Sequence, residues 1–294
     1  MTKEFDCDIC GSPDAEEIAV ARRYMDSQPL HVCKNCGFVY VRKRRSPEEI
    51  GAAWSDEIYN SGNGEAQVAY TARIPAIKAR QTFAAEFIDG SIGLRGKRVL
   101  DIGAGEGQFL EIIGGANYGA NPFAVEPSQR NCELIKVAGI ESFAGTIEEF
   151  RASPEFNKHP ADIVTVVWTL ENCQSCRFMF DAAYDALVDG GHLAVATGSR
   201  ILVPFKKPLH CYLGNNAADT HSFRFSANSL ANLLAISGFR ISHSNQYIDS
   251  DWLVMIGEKA VGEQNFEWRK DDYQEVVDFF ERWDRETRMF YEGM

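Results

Sequence analysis

The chain predicts an α/β fold: a doubly wound sheet with a small cysteine ribbon before it and a helix after it. Three observations carry this. The apolar run Val99-Leu100-Asp101-Ile102 ends in glycines at 103, 105 and 107, strand-like and helix-like segments then alternate to about residue 260, and two Cys-x-x-Cys pairs open the chain. With 294 residues, 45% of them hydrophobic, there is material for a sizeable core. Four units follow from the composition: 1–45 as ribbon, 46–90 as helical connector, 91–260 as α/β domain and 261–294 as helical tail.

In order along the chain, Cys7-Asp8-Ile9-Cys10 and Cys33-Lys34-Asn35-Cys36 stand 22 residues apart. Two such turns present four thiolates able to surround a tetrahedral Zn²⁺; a disulfide framework is the alternative. Four closed ligands leave no position for water, so the metal would be structural. A third pair, Cys173 and Cys176, with Cys211 farther on, lacks a fourth ligand at metal spacing and reads as buried thiols. The basic run Arg42-Lys43-Arg44-Arg45 has two readings, a grip on a substrate diphosphate or a solvated face. Ser46 to Ile50 reads as a short helical link, and Ala66 to Ile88 as a long helix covering a sheet edge.

A strand ending in G-x-G-x-G turns tightly and lets its backbone close on something bulky, which points to a nucleoside-bearing ligand. The spacing is not the G-x-G-x-x-G of a dinucleotide site, and Asp101 precedes it. A carboxylate there repels a pyrophosphate but suits a ligand with an ammonium and a sulfonium, which favours S-adenosylmethionine over a nicotinamide dinucleotide. Phe109, Leu110, Ile112 and Ile113 then recur at helical spacing, and Phe123 to Glu126 reads as the next strand. At its end Glu126 can accept both hydroxyls of a ribose.

Ala161 to Leu170 is long and β-branched, as suits a strand buried on both faces, with Glu171 and Asn172 at the end where open α/β sheets bind ligands. Phe178 to Leu187 has helical spacing, Asp189-Gly190-Gly191 breaks it, and His192 to Thr197 is a strand. Ser226 to Ser237 is a helix with Ser226 as N-cap and Gly238 as its stop; Phe239 to Ile248 and Trp252 to Gly257 are strands. Trp268, Tyr273, Val276, Val277, Phe280 and Trp283 space out an amphipathic tail helix.

Charge excludes some classes. Thirty Lys and Arg against 42 Asp and Glu give a net charge of −12, which disfavours a nucleic-acid phosphate backbone as partner. No apolar run approaches the roughly 20 residues of a membrane span. With no secretory leader visible in the sequence, a cytoplasmic location is expected.

The stretch VLDIGAGEGQF followed by AVEPS resembles the class I S-adenosylmethionine-dependent methyltransferases over roughly residues 80 to 260. The resemblance implies a Rossmann-like, seven-stranded sheet with the last strand antiparallel. It also implies a cofactor pocket from Asp101, Gly103, Ala104, Gly105 and Gly107, with Glu126 and Pro127, with Thr146 and Ile147 flanking adenine, and with Trp168, Thr169 and Leu170 under the methionine; plain core packing is the other reading of Trp168. The ribbon and this domain together resemble zinc-containing sugar methyltransferases. By that resemblance the element Asp219-Thr220-His221-Ser222-Phe223-Arg224-Phe225-Ser226 places a general base at His221, with Asp219 orienting it or touching substrate, against a plain capping or loop role. Relatives often carry a histidine after the acid ending strand four; here it is Asn172.

Imidazole suits the removal of a hydroxyl proton as a methyl group arrives. The expected activity is methyl transfer from S-adenosylmethionine to a sugar, nucleotide-linked or polysaccharide-borne, on oxygen. Carbon-methylating relatives carry a further C-terminal domain, whereas only 37 residues follow Gly257. The alternatives are C-methylation of a nucleotide-linked keto sugar, an RNA or protein methyltransferase that docks through its ribbon, and a non-catalytic cofactor-binding partner of a polysaccharide synthesis complex.

Overall fold

The computed structural model describes residues 3–25, 28–53, 64–205, 207–213, 221–248, 250–262 and 266–289, with the backbone alone for 64–73. The N-terminal part contains strands β1 (Lys3–Glu4), β2 (Ala15–Glu17), β3 (Leu30–Cys33), β4 (Val39–Val41) and β5 (Lys43–Arg44). Helices α1 (Pro47–Ala53) and α2 (Gly64–Ile92) follow. Then come β6 (Arg98–Ile102), α3 (Gln108–Gly114), β7 (Asn121–Glu126), α4 (Gln129–Val137), β8 (Glu141–Ala144), α5 (Ile147–Ala152), β9 (Ala161–Val167), α6 (Cys176–Ala186) and β10 (Leu187–Thr197). The chain closes with α7 (Leu209–Leu213), β11 (Phe223–Arg224), α8 (Ala227–Ile236), β12 (Phe239–Ser244), β13 (Leu253–Lys259) and α9 (Tyr273–Arg288).

Seven strands form one sheet in the order β12-β13-β10-β9-β6-β7-β8. Strands β6 to β10 run parallel, and β13 lies antiparallel between β10 and β12. This is the Rossmann-like sheet expected of the sequence. Its central strands are covered on both faces: Ile163, Val164 and Val166 of β9 are buried, each worth about 1.5–3 kcal/mol.

Several element boundaries differ from the sequence expectation, three of them for a visible local reason. Strand β9 stops at Val167 because Trp168 takes φ +56°, which no strand residue adopts, and a 3₁₀ turn over Leu170–Asn172 follows. Strand β10 starts at Leu187, before the Asp189-Gly190-Gly191 segment, which the sheet accommodates as a register shift between Leu187 and His192. Helix α9 begins at Tyr273 under an Asp272 cap, so Trp268 precedes it and is 38% exposed.

A second sheet, β11-β4-β3-β2, contains the ribbon strands and one strand from far along the chain. β11 pairs antiparallel with β4 through Phe223 to Tyr40 and Arg224 to Val39. Phe38 and Tyr40 of the ribbon pack in one continuous apolar cluster with Leu100, Val164, Phe180 and Leu233 of the large sheet and its helices. Helix α9 adds Val276, Phe280 and Trp283 to the ribbon's other face, against Leu30, Val32 and Val39. The ribbon is thus built into the α/β body.

None of the basic run Arg42 to Arg45 lines the cavity between the strand ends, and three of its cations face carboxylates of the ribbon. Arg44 is completely buried, with its guanidinium 2.7 Å from Asp8 and stacked 4.1 Å from the Phe5 ring and 4.8 Å from Phe223. Arg42 and Lys43 face Asp6 at 3.9 Å and Glu4 at 3.6 Å. Alternation along β5 buries one cation and exposes its neighbour, which sequence charge alone does not reveal.

Candidate functional site

A cavity of about 520 Å³ opens at the carboxyl ends of β6, β7, β9 and β10. Its floor is the turn after β6. There Gly103, at φ +75°, touches Thr169: an added Cβ would stand 2.2 Å from Thr169 Cγ2, while Thr169 Oγ1 donates to the Gly103 carbonyl at 3.0 Å. The close approach that demands glycine at 103 is therefore made by the protein's own threonine. Gly107 caps α3 at φ +85° and packs on Ile135, outside the cavity lining.

Two acids frame the turn. Asp101 is 2% exposed and accepts the Thr165 hydroxyl at 2.6 Å. Burial pushes its carboxyl up to about 7 against the opposing Thr165 hydrogen bond, with the Glu126 charge adding to the rise. Glu126 accepts the Gly105 amide at 2.9 Å on one oxygen, and the Ser128 amide at 3.0 Å and Asn131 Nδ2 at 3.3 Å on the other. Burial raises its carboxyl too, against the Ser128, Gly105 and Asn131 bonds. Two desolvated carboxylates in one cavity prefer a cationic guest.

Of the remaining expected cofactor residues, Ala104, Pro127, Thr146, Ile147, Trp168 and Thr169 all line the cavity. Leu170 does not: it is buried in the core beneath. Thr146 accepts the Glu149 amide at 3.2 Å as the cap of α5, so its hydroxyl is engaged by the helix. Trp168 stands half-buried with the Arg80 guanidinium 4.6 Å from its ring and Trp252 edge-on at 6.0 Å. Its positive φ is the kind of backbone strain that a fold retains at a working site.

His221 also lines this cavity, at the start of the segment leading into β11. Its Nδ1 lies 2.7 Å from Ser199 Oγ. The next residue, Ser222, donates its amide to the Glu171 carbonyl at 2.7 Å and accepts the Val41 amide at 2.8 Å, which ties the histidine to both sheets. Asp219 falls outside the described residues. Glu171, 1% exposed, accepts the Thr197 hydroxyl at 3.0 Å.

The sequence reading missed Arg80 and Gln81 on α2, Tyr212 on α7 and Trp252 before β13, all in the lining. None sits in a motif; helix packing and a hairpin bring them in, and no local spacing announces that. Gln81 Oε1, Asn131 Oδ1, Trp168 Nε1 and Asn172 Oδ1 are buried with no hydrogen-bond partner among the described residues. Unsatisfied polar atoms around a cavity of this size call for a ligand that supplies several donors and an acceptor, as an amino-acid nucleoside does.

Within the ribbon, the sulfurs of Cys7, Cys10, Cys33 and Cys36 all lie within 4.8 Å of one another, with Cys7 to Cys36 at 3.6 Å and Cys10 to Cys33 at 3.4 Å. A tetrahedral Zn²⁺ with bonds near 2.3 Å sets sulfurs about 3.8 Å apart, so the cluster fits the ion. Cys173 and Cys176 are buried thiols held far above their usual range by burial, as the sequence reading expected; Cys211 departs from it, being exposed at the cavity with Sγ 3.1 Å from His210 Nε2.

Comparison with known proteins agrees with this geometry. The chain is 32% identical over 120 residues to the ubiquinone biosynthesis O-methyltransferase of Marinobacter nauticus, and 33% over 119 residues to that of Cupriavidus pinatubonensis. These matches cover 39% and 40% of this chain and 49% and 47% of the relatives, so the chain spans about half the length of the curated relatives it matches. Among solved structures, the 1,6-didemethyltoxoflavin N1-methyltransferase of Burkholderia thailandensis, determined with bound S-adenosylhomocysteine, superposes with a TM-score of 0.53 at 17% identity, covering 76% of this chain and 96% of that one. A Thermotoga maritima protein described as a possible histamine N-methyltransferase gives 0.50 at 18% identity, covering 71% and 99%. Residues 75–244 match the family described as a methyltransferase domain. With that match spanning more than half of its length, the chain belongs to the class I S-adenosylmethionine-dependent methyltransferase family.

Proposed function

We propose that the protein methylates a hydroxyl of a sugar, nucleotide-linked or polysaccharide-borne, with His221 as general base. S-adenosylmethionine bound in the cavity would supply an electrophilic methyl on a sulfonium. Asp101 and Glu126 hold the positively charged and ribose portions, and the turn after β6 positions the cofactor through the Gly105–Glu126 bond. His221 takes the hydroxyl proton on Nε2 as the oxygen's lone pair forms the new O–CH₃ bond, and the sulfur keeps the electrons of the bond that breaks. Positioning the acceptor in line contributes most of the rate, and proton removal adds about 10²–10⁴-fold.

The observation that carries the reading is His221 in the same cavity as the acid-flanked glycine turn, with Nδ1 already engaged. A sugar acceptor is supported by the polar lining of the same cavity, Glu171, Asn172, Gln174 and Lys207, together with the aromatic side chains of Trp168 and Trp252. A phenolic acceptor is the second reading, favoured by the names of the curated relatives. The four cysteines hold a structural Zn²⁺ in this proposal. The ribbon then acts as a scaffold, since β11 and α9 cover it, which argues against a docking surface for RNA or protein.

The test is a panel of sugars, nucleotide-linked sugars and phenols with radiolabelled S-adenosylmethionine, followed by His221→Ala on the best acceptor. Turnover should fall by about 10² or more with cofactor affinity unchanged. Full turnover in the variant sinks the base assignment, and labelling of phenols alone transfers the proposal to the second reading.

A further inference from the structure

Ser199 has a place in the fold that no motif predicts. It lies two residues beyond the end of β10, is wholly buried, and has both main-chain groups fixed. Its amide donates to Thr197 Oγ1 at 3.1 Å and its carbonyl accepts the Phe225 amide at 2.8 Å. Thr197 in turn donates its hydroxyl proton to Glu171 Oε2 at 3.0 Å, which leaves a lone pair of Thr197 for the Ser199 amide. The Ser199 side chain therefore projects from a backbone that cannot turn, and its hydroxyl meets His221 Nδ1 at 2.7 Å.

We infer that Ser199 is a positioning residue for His221: its hydroxyl holds Nδ1 in the protonated form, so that the lone pair of Nε2 faces the acceptor. The inference rests on the reading of His221 as the base. Which nitrogen of an imidazole carries the proton is set by the hydrogen bond the other makes. A hydroxyl can accept from Nδ1–H or donate to a bare Nδ1; in the inferred arrangement its oxygen accepts, both before and after Nε2 gains a proton. The bond therefore persists through proton transfer: the acceptor's proton moves to Nε2, the Nδ1 proton stays, and the ring carries one positive charge until solvent removes a proton. The Ser222 amide bond to the Glu171 carbonyl secures the histidine's backbone to the same residue that anchors Thr197, so ring and main chain share one reference point.

Ring ¹⁵N NMR on the full-length protein labelled in histidine, saturated with S-adenosylhomocysteine, reads the tautomer without any acceptor. In the native protein the His221 nitrogens should be well separated in shift, with Nδ1–H dominant. In Ser199→Ala, which keeps both main-chain bonds, the two shifts should move toward each other as the minor tautomer gains population. Ser199→Cys, a weaker hydrogen-bonding isostere, should fall between, and it serves as the variant to read if the alanine form is poorly folded. Identical ring shifts in native and variant proteins overturn the inference, as does a dominant Nε2–H tautomer in the native protein. If His221→Ala keeps full turnover in the acceptor panel while the ring shifts respond to Ser199, the base reading fails and the positioning contact stands.

Discussion

The guanidinium of the fully buried Arg44 and the carboxylate of Asp8, whose side chain is 4% exposed, meet at 2.7 Å, one from the ribbon's last strand and the other from its first cysteine turn. Around them the hydrogen bonds leave the ribbon. Arg44 donates to the Gln174 carbonyl at 2.6 Å, Ser175 donates to Asp8 at 2.9 Å, and Gln174 donates to the Arg45 carbonyl at 2.7 Å. Gln174 and its neighbour Cys173 line the cavity. The turn that carries Cys7 and Cys10 is thus joined to the cavity lining through this charged pair and the hydrogen bonds around it.

Breaking that pair on one side should be costly. Asp8→Ala leaves a buried cation without its counter-charge, and a loss of about 3–5 kcal/mol is expected by chemical denaturation. The double change to Asp8→Leu and Arg44→Met should recover much of that loss. A single variant within 1 kcal/mol of the native protein would show that the pair carries no such burden.

Removal of metal should reach the cavity. Because β11 and α9 close over the ribbon, chelation or Cys33→Ser should lower the thermal midpoint of the whole protein in one transition rather than melt a separate unit. Calorimetry with and without a chelator checks this, alongside S-adenosylmethionine affinity, which should weaken. An unchanged midpoint after verified loss of metal counts against the scaffold role.

Cofactor binding should depend on pH through Asp101. Its carboxyl, raised to about 7 by burial, is mostly protonated at pH 6. A cationic guest favours the ionised form, so binding releases a proton, and affinity should rise by up to about tenfold per unit toward pH 7, then level off. The same shift makes the free protein lose stability as pH climbs from its unfolded value of 3.8 through about 7, since the folded state holds the proton more tightly in that window. Titration calorimetry in buffers of different ionisation heat reads the proton release. Asp101→Asn should flatten the profile, and an equal slope in that variant would assign it elsewhere.

The turn should not tolerate a side chain at Gly103. Alanine there meets Thr169 Cγ2 at 2.2 Å in a left-handed backbone conformation. Strain of about 1–3 kcal/mol is expected from the backbone alone, with the clash added. Denaturation of Gly103→Ala, with Gly105→Ala as the control that meets nothing within 4 Å, separates steric conflict from backbone strain. Equal loss in both variants would leave the Thr169 contact without consequence.

What the amino-acid order determined unaided is what local spacing can encode. Period-two and period-3.6 patterns placed the strands and helices, alternate glycines after an acid marked the turn at the cavity, and two Cys-x-x-Cys pairs marked a cysteine cluster whose sulfurs do converge. Tertiary structure decided the rest. Arg44 lies in a basic run yet is internal, because a neighbouring strand and two aromatic rings enclose it. Ser199 and His221, 22 positions apart, touch because the chain leaves the large sheet after β10 and, through β11, completes the ribbon's sheet. Contacts of that kind depend on which surfaces meet once the core closes, and the free energy that selects them is spread over the whole interior instead of residing in any short segment.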